Sequence, residues 1–324
     1  MAVLKSTRLR LKNSGSVGAV REYLRTTREY YAQDAVKDGK ETILPDAEWL
    51  GSEAAQRLGL HEPGRDQDED FAQLLAGYHP RTGKPLVQNA GEAGRCMGLD
   101  LTFSPRKEYS LAFIAANPEQ QKQMTQAFHL ARDKAMGLVS KGVNTRAGKG
   151  GKRHVGVKGL VIRAVDHIDS RNGDPQWHCH AVVANIALDE DGKWRSVDFR
   201  DLMRTTGSLQ EAAQEVFARE LAEGFQRLGF GIERERILDE DERDTGKVAN
   251  KIAGIDQATC DAFSSRREEI KEEIKKAEAK GETLTGGAAA MKTRQSKHMS
   301  AAEVILAGLE RLEEIAERTP GHFK

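Results

Sequence analysis

Long apolar runs are missing from this chain of 324 residues. Nothing approaches the roughly 20 consecutive apolar residues that cross a bilayer. The opening MAVLKSTRLRLK has charges spread where a secretory signal needs an apolar centre. Membrane insertion and secretion are therefore not expected. Cysteine is scarce too. The three cysteines, Cys96, Cys179 and Cys260, are odd in number, far apart and without CxxC spacing. That excludes a disulfide framework and fits a reducing, cytoplasmic setting. No GxxxxGK[ST] loop occurs, so no Walker-type ATPase is encoded in these residues. No internal repeat is visible.

An excess of charge of either sign is also lacking, with 50 basic and 50 acidic side chains. Their distribution is nevertheless uneven. Residues 141–163 carry Lys141, Arg146, Lys149, Lys152, Arg153, Lys158 and Arg163 without an acid, and residues 5–28 carry seven cations against Glu22 alone. The acids gather elsewhere, as in DQDEDF (66–71) and LDEDERD (238–244). Segregated basic stretches are what a phosphate-binding face needs, although each is also compatible with a solvated loop.

What is present reads as mixed helix and strand. NPEQQKQMTQAFHLARDKAMGLVSKG has Asn117 as a cap, Pro118 at the first helical position and an apolar face through Met124, Phe128, Ala131, Ala135 and Leu138. GSLQEAAQEVFARELAEGFQRLGF is similar, with Ser208 as cap. DAFSSRREEIKEEIKKAEAKG is helical and rich in charge, and SAAEVILAGLERLEEIAERTPG begins with a Ser300–Glu303 capping box. Strands are expected at 97–104, 159–168 and 177–188, the last two forming an antiparallel pair across the turn-rich SRNGDPQ. TLTGGAAAMKTRQSK (283–297) reads as a mobile linker between helices. Helices and strands do not alternate as βαβ units, so the expected class is α+β, an antiparallel sheet flanked by helices.

Chemistry concentrates around WHCH, residues 177–180. In a strand, positions i and i+2 share a face, so His178 and His180 project together, about 7 Å apart by rise alone. Two such imidazoles can share an ion, and His167 at the end of the paired strand would supply a third. The alternative is a pair of half-buried strand histidines bonded to backbone. Cys179 points to the opposite face and is expected in the core. Asp100, set among Leu99, Leu101 and Phe103, can orient an imidazole or take a proton from a tyrosine; the bland alternative is an edge carboxylate facing water. Three of the five tyrosines, Tyr23, Tyr30 and Tyr31, crowd into EYLRTTREYY. On one continuous helix Tyr23 and Tyr30 would share a face two turns apart, either as core rings or as nucleophiles near the arginines of that segment.

At this point the chain resembles a known family. HIDSRNGDPQWHCHAVVANIA is similar to the three-histidine motif of the MobF group of conjugative relaxases, within the HUH endonuclease superfamily. His167, ten intervening residues, and the His178-x-His180 pair match its spacing. GLDLTFSPRKEYS resembles the aspartate strand GxDLTFSxPKS, placing Asp100 at the acidic position. YLRTTREYY resembles the paired-tyrosine segment; AEWLGSEAAQRLGL, FAQLLAGYHP and the basic MKTRQSK resemble further segments. The resemblance spans about residues 14–235, with an echo at 291–297. Two departures stand out: Leu24 follows Tyr23 where the family has two adjacent tyrosines, and SPRKEYS replaces SAPKSVS. The ungapped register puts Tyr23 in the place of the first nucleophile and Tyr30 in that of the second. A shift of one residue puts Glu22 there and favours Tyr30 or Tyr31.

The resemblance implies a palm-like HUH core over 1–235 and a mostly helical segment over 236–324 that covers bound single-stranded DNA. It implies strand-specific nicking and joining at a plasmid transfer origin through a 5′-phosphotyrosyl link, with Tyr23, Tyr30, Tyr31 and Asp100 in catalysis. His167, His178 and His180 would hold one divalent ion, Mg²⁺ or Mn²⁺ in the family, with Zn²⁺, Ni²⁺ or Cu²⁺ also held by imidazoles. Arg171, Lys152, Arg153, Arg294 and Lys297 are the candidate DNA contacts. Implied partners are single-stranded and hairpin DNA at the origin, relaxosome accessory proteins and a type IV secretion coupling protein, in the bacterial cytoplasm. Relaxases of this type often continue into a helicase. The rival readings are a rolling-circle replication initiator, a three-histidine zinc hydrolase or lyase, and a non-catalytic DNA-binding module.

Overall fold

The computed structural model describes residues 3–27, 36–38, 41–44, 47–170, 172–200, 202–203, 208–238, 243–293 and 299–318. Its centre is an antiparallel sheet of eight strands. The main path runs β1 (Val3–Arg10), β5 (Cys96–Ser104), β8 (Pro175–Asp189), β7 (Arg153–Asp169), β6 (Asn144–Ala147) and β10 (Val197–Asp198). Short β4 (Glu48–Trp49) pairs with β7, and β9 (Trp194–Arg195) with β8. β2 (Val36–Asp38) and β3 (Glu41–Leu44) form a separate hairpin. The expected pairing of the histidine strands is observed, both longer than read from sequence and joined by a tighter tip at 170–174.

Alternation along β8 sorts its side chains between two cores. Cys179, Ala181, Val183 and Ala187 join Leu99, Leu101 and Phe103 of β5 on one face. Val182, Ala184, Ile186 and Leu188 join the other. With both faces covered, the strand can be apolar almost throughout. The first face is covered by α5 (Pro118–Gly142) and α6 (Leu209–Arg227), which carry the Phe128 and Phe217 rings against Trp177 and Phe103. Both helices start at capping boxes, Asn117 with Gln120 and Ser208 with Glu211, so the orphan N–H groups of the first turn are satisfied. The second face is covered by α1 (Val17–Thr26), α2 (Glu53–Leu58) and α3 (Gln67–Ala76), through Val20, Leu58, Phe71 and Leu75.

Beyond α6, β11 (Ile232–Leu238) and β12 (Asp244–Ile252) form a hairpin. Four helices follow: α7 (Gln257–Ala262), α8 (Ser265–Glu278), α9 (Gly286–Lys292) and α10 (Ala301–Arg318). The expected helix cap at Ser300 is present, with Glu303 bonded back to its N–H and hydroxyl. Part of the 283–297 stretch, read from sequence as linker, is helical as α9. Its Ala-Ala-Ala-Met run supplies the propensity that the two glycines before it concealed. The division expected between 235 and 236 falls inside β11, and Ile252, Phe263 and Leu312 are buried in the same core as Phe103. Short α4 (Lys107–Ala115) links β5 to α5. Among the described residues, no helix is long and apolar enough to cross a membrane.

Candidate active site

The three histidines meet at the end of the β7–β8 hairpin. His167 and His178 are direct partners in the register, and His180 stands opposite Val165 and Thr102. Parity places His178 and His180 on the face of Val182, away from Cys179. Their ring centroids are 5.3 Å (167–178), 5.5 Å (167–180) and 5.2 Å (178–180) apart. Three imidazoles on one tetrahedral ion, with bonds of about 2.1 Å, would have centroids about 5 Å apart. Among the described residues, no group of three His, Cys, Asp or Glu side chains is already arranged as an ion cage.

Two of the rings have their tautomer set by a neighbour. His180 Nδ1 lies 2.8 and 3.0 Å from the two oxygens of Asp100, which is itself buried. His178 Nδ1 donates to the Gln176 carbonyl at 2.8 Å. A carbonyl or carboxylate only accepts, so each Nδ1 carries the proton and each ring is oriented through it. Asp100 is thus placed on an imidazole rather than facing water. Thr102, next on its face, sits 3.3 Å from the same Nδ1 and 3.4 Å from Asp100 Oδ1.

The opposite face of the hairpin is closed. Cys179 is fully buried as expected, with its thiol 3.7 Å from an Arg132 nitrogen. Asp166, adjacent in sequence to His167, pairs with His129 of α5. Burial pushes the Asp166 carboxyl up, but His129 and Arg132 outweigh it and hold the group below its ordinary value. Burial pushes the Cys179 thiol well above its usual range, so it stays protonated and inert.

The sequence model of the TrwC relaxase family matches residues 17–314. The chain belongs to the TrwC relaxase family. Its similarity to the multifunctional conjugation protein TraI of Escherichia coli is 28% identity over 305 residues, 92% of this chain and 15% of that protein. The TraI of strain K12 is 29% identical over 268 residues, 80% of this chain and 14% of that protein. The chain thus spans about one seventh of the curated relatives it matches. Among solved structures, the relaxase TrwC in a copper-bound complex with OriT DNA superposes with TM-score 0.72 at 25% identity, covering 97% of this chain and 99% of that one. TrwC with a 27-mer comprising the recognition hairpin and the cleavage site gives 0.69 at 24%, covering 96% and 99%. The MobF resemblance and the α+β palm expected from sequence are therefore both borne out.

Within this relaxase-family fold, Tyr23 lies on α1, half-buried against the core on the histidine side of the sheet. Helix α1 stops at Thr26, where the Thr27 N–H and the Thr26 and Thr27 hydroxyls bond the Tyr23 carbonyl. The helix that carries Tyr23 therefore ends at Thr26, and the expected shared face with Tyr30 lies outside the described residues. Two adjacent threonines with local hydroxyl bonds favour a helix end. Tyr30, Tyr31, Arg171, Arg294 and Lys297 lie outside the described residues.

The basic candidates divide by position. Lys152 and Arg153 are exposed at the start of β7, and Arg153 pairs with Asp191 at 2.5 Å. His167 is near the other end of that strand, roughly 45 Å away at about 3.3 Å per residue. They do not reach the histidines. Closer to the site is a cleft of about 580 Å³. Ser104 and Gln176, the next residues on the faces of Thr102 and His178, line it, with Lys107 of α4 and Arg266, Arg267 and Lys271 of α8. Sequence reading missed these four cations because they come from two segments far apart in the chain. Lys107 Nζ donates to the Pro175 carbonyl at 2.7 Å, and burial lowers its pKa to about 8, with Asp174 opposing.

Proposed function

We propose that this chain nicks and rejoins one DNA strand at a plasmid transfer origin, the activity that begins conjugative transfer. The carrying observation is the histidine face: three imidazoles with ion-sharing spacing, two of them oriented through Nδ1, on the same side of the sheet as Tyr23. A divalent ion held by His167, His178 and His180 would withdraw charge from the non-bridging oxygens of the scissile phosphate. Mg²⁺ or Mn²⁺ is the working ion in this reading; Zn²⁺, Ni²⁺ and Cu²⁺ suit imidazole and would also bind.

The chain's own groups do the rest. Tyr23 loses its phenolic proton and its oxygen bonds to phosphorus, while the 3′-oxygen departs and takes up a proton as a free hydroxyl. One phosphoester replaces another, so the step needs no ATP and runs backwards to rejoin the strand. Asp100 holds the His180 ring and tautomer, with Thr102 beside it. A second tyrosine, Tyr30 or Tyr31, would serve the transfer that closes the transported strand.

The cleft lined by Ser104 and Gln176 fits the single strand next to the cut, with Lys107 and the α8 arginines toward its phosphates. Lys152 and Arg153, some 45 Å off, would contact the duplex part of a hairpin instead. Accessory proteins of the relaxosome, a secretion coupling protein and a cytoplasmic site of action accompany this reading through the family.

A labelled oligonucleotide carrying the transfer origin, incubated with the protein and Mn²⁺, tests it. The expected result is a covalent protein–DNA adduct that is lost in Tyr23→Phe. An adduct undiminished in Tyr23→Phe moves the nucleophile to Tyr30 or Tyr31. No adduct with origin DNA, together with hydrolase or lyase turnover on Zn²⁺, overturns the reading in favour of a zinc enzyme; DNA binding without either favours a non-catalytic module.

A further inference from the structure

At the tip of the histidine hairpin one carboxylate meets two of the C-terminal helices. Asp174, buried in the turn between β7 and β8, accepts from the Ser265 backbone N–H at 2.9 Å and from the Ser265 hydroxyl at 2.5 Å. Ser265 is the first residue of α8, whose N-cap Ser264 makes no side-chain cap bond of its own. The missing cap is supplied from 91 residues upstream. A carboxylate is well suited to that place, because the first-turn N–H groups point at it and the helix dipole favours negative charge there. The other Asp174 oxygen lies 3.6 Å from Arg311 of α10.

Further contacts converge on the same tip. Asn172 donates to Glu269 of α8 at 3.2 Å. Lys107 donates to the Pro175 carbonyl. Gly308 of α10 packs so closely on Pro175 and Ile114 that a Cβ there would come within 2.8 Å of the proline ring. Inside the turn, Ser170 and Asp174 are bonded in both directions, Ser170 N–H to the Asp174 carbonyl at 2.8 Å and Asp174 N–H to the Ser170 hydroxyl at 3.1 Å. Position 174 is thus the shared partner of the turn, α8 and α10. A few residues inward from it, His167 and His178 face each other across the two strands.

We propose that Asp174 is a positioning residue: it latches α8 and α10 onto the hairpin tip, and this docking sets the spacing of His167 and His178 and hence how tightly they hold an ion. The inference rests on the metal role given to those histidines above. In this arrangement the C-terminal helices do more than cover a bound strand. With the helices seated, the turn that closes the hairpin beside His167 and His178 has its partners in α8 and α10.

The test is Mn²⁺ affinity of the full chain without DNA, read from the free-ion signal in electron paramagnetic resonance, beside hydrogen exchange of the 170–178 amides. Asp174→Ala is expected to weaken Mn²⁺ binding about tenfold, the range seen for residues that orient ligands without touching the ion, and to speed exchange at the tip. Asp174→Asn keeps an acceptor for the Ser265 N–H and should lose about threefold, placing it between parent and alanine variant. Val139→Ala, which loosens α5 instead, should lower the melting temperature without moving Mn²⁺ affinity. If Asp174→Ala does not fold, Ser265→Ala removes the hydroxyl contact and Arg311→Met the guanidinium, and each should weaken binding. Parental Mn²⁺ affinity in the folded variants overturns the latch and leaves the proposed function standing. A parent protein that binds no Mn²⁺ and forms no adduct overturns that function, and the latch with it.

Discussion

Two histidine–carboxylate pairs lie on opposite faces of the same sheet, and they differ in what surrounds them. His180–Asp100 sits beside His167 and His178, in strands whose next residues, Ser104 and Gln176, line a cleft. His129–Asp166 sits against Arg132, which is buried and bonded to Glu48 at 2.8 Å. In the first pair the carboxylate fixes an imidazole that has other imidazoles for neighbours. In the second it pairs with a histidine beside a buried guanidinium, whose own hydrogen bonds to carboxylates go to Glu48 and Asp133. The contact is the same, yet one pair borders two further imidazoles and the other a buried guanidinium. A histidine–carboxylate contact therefore says little until the third partner is known.

The comparison breaks most sharply if the histidines are exchanged in importance. His178→Ala and His180→Ala should each lower adduct formation more than a hundredfold and abolish tight Mn²⁺ binding, since two imidazoles make a poor site. His129→Ala should keep adduct formation within a few-fold while lowering the melting temperature. Equal adduct loss in both classes, measured at a temperature where all remain folded, would put the chemistry on the wrong face.

The carboxylates sharpen the same contrast. Asp100→Asn should cost about 10- to 100-fold in metal affinity or rate, because an amide can offer N–H to Nδ1 and push the ring toward the tautomer that cannot bind an ion. Asp166→Asn should leave metal affinity unchanged but cost about 3 kcal/mol, the scale for removing one partner of a buried pair. The pH dependence follows from its depressed pKa. Its stabilising contribution is present above the unfolded value near 4 and is lost as pH falls through the folded value. The acid limb of a stability–pH curve should accordingly flatten in Asp166→Asn.

Much of this contrast is legible in the sequence. The HxH alternation, the alternating LDLTF strand and the capping residues Asn117 and Ser208 are local signals, each decided within a few residues. They give the strands, the two covering helices and the split of His178 and His180 from Cys179. What is not legible is long-range. Nothing near Asp174 signals that it caps a helix 91 residues away, and nothing near Asp166 names His129. Helix α9 was concealed by its glycines, and the β11–β12 hairpin by its alternating charges, IERERIL, which resemble a solvated helix face. The end of α1 at Thr26, set by two adjacent threonines, was not read from the spacing of the tyrosines either.

A smaller effect is expected at Lys107, on the cleft side of the comparison. Burial lowers its pKa to about 8. Between that value and the ordinary value near 10.4, the unfolded chain holds a proton that the folded chain has lost, so this residue's contribution makes the fold more stable as pH rises through that window. Its charge toward DNA goes the other way. Affinity for a single-stranded origin oligonucleotide should fall as pH rises from 7 to 9, and Lys107→Met should bind several-fold more weakly at pH 7 with a flatter profile. An unchanged profile in Lys107→Met would remove Lys107 from the strand's path.

The smallest effect is expected at Cys179, which stands between the two metal-face histidines in sequence and on the other face in space. Its thiol is buried beside Arg132 and held protonated, so it can serve neither as thiolate ligand nor as nucleophile. Cys179→Ala removes one sulfur from a packed core and should cost about 1 to 2 kcal/mol. Its Mn²⁺ affinity and adduct rate should match the parent within a factor of two. A loss like that of His178→Ala would mean that the alternation of β8 is broken at the one place where the metal-site reading depends on it, and that the two faces exchange residues when DNA is bound.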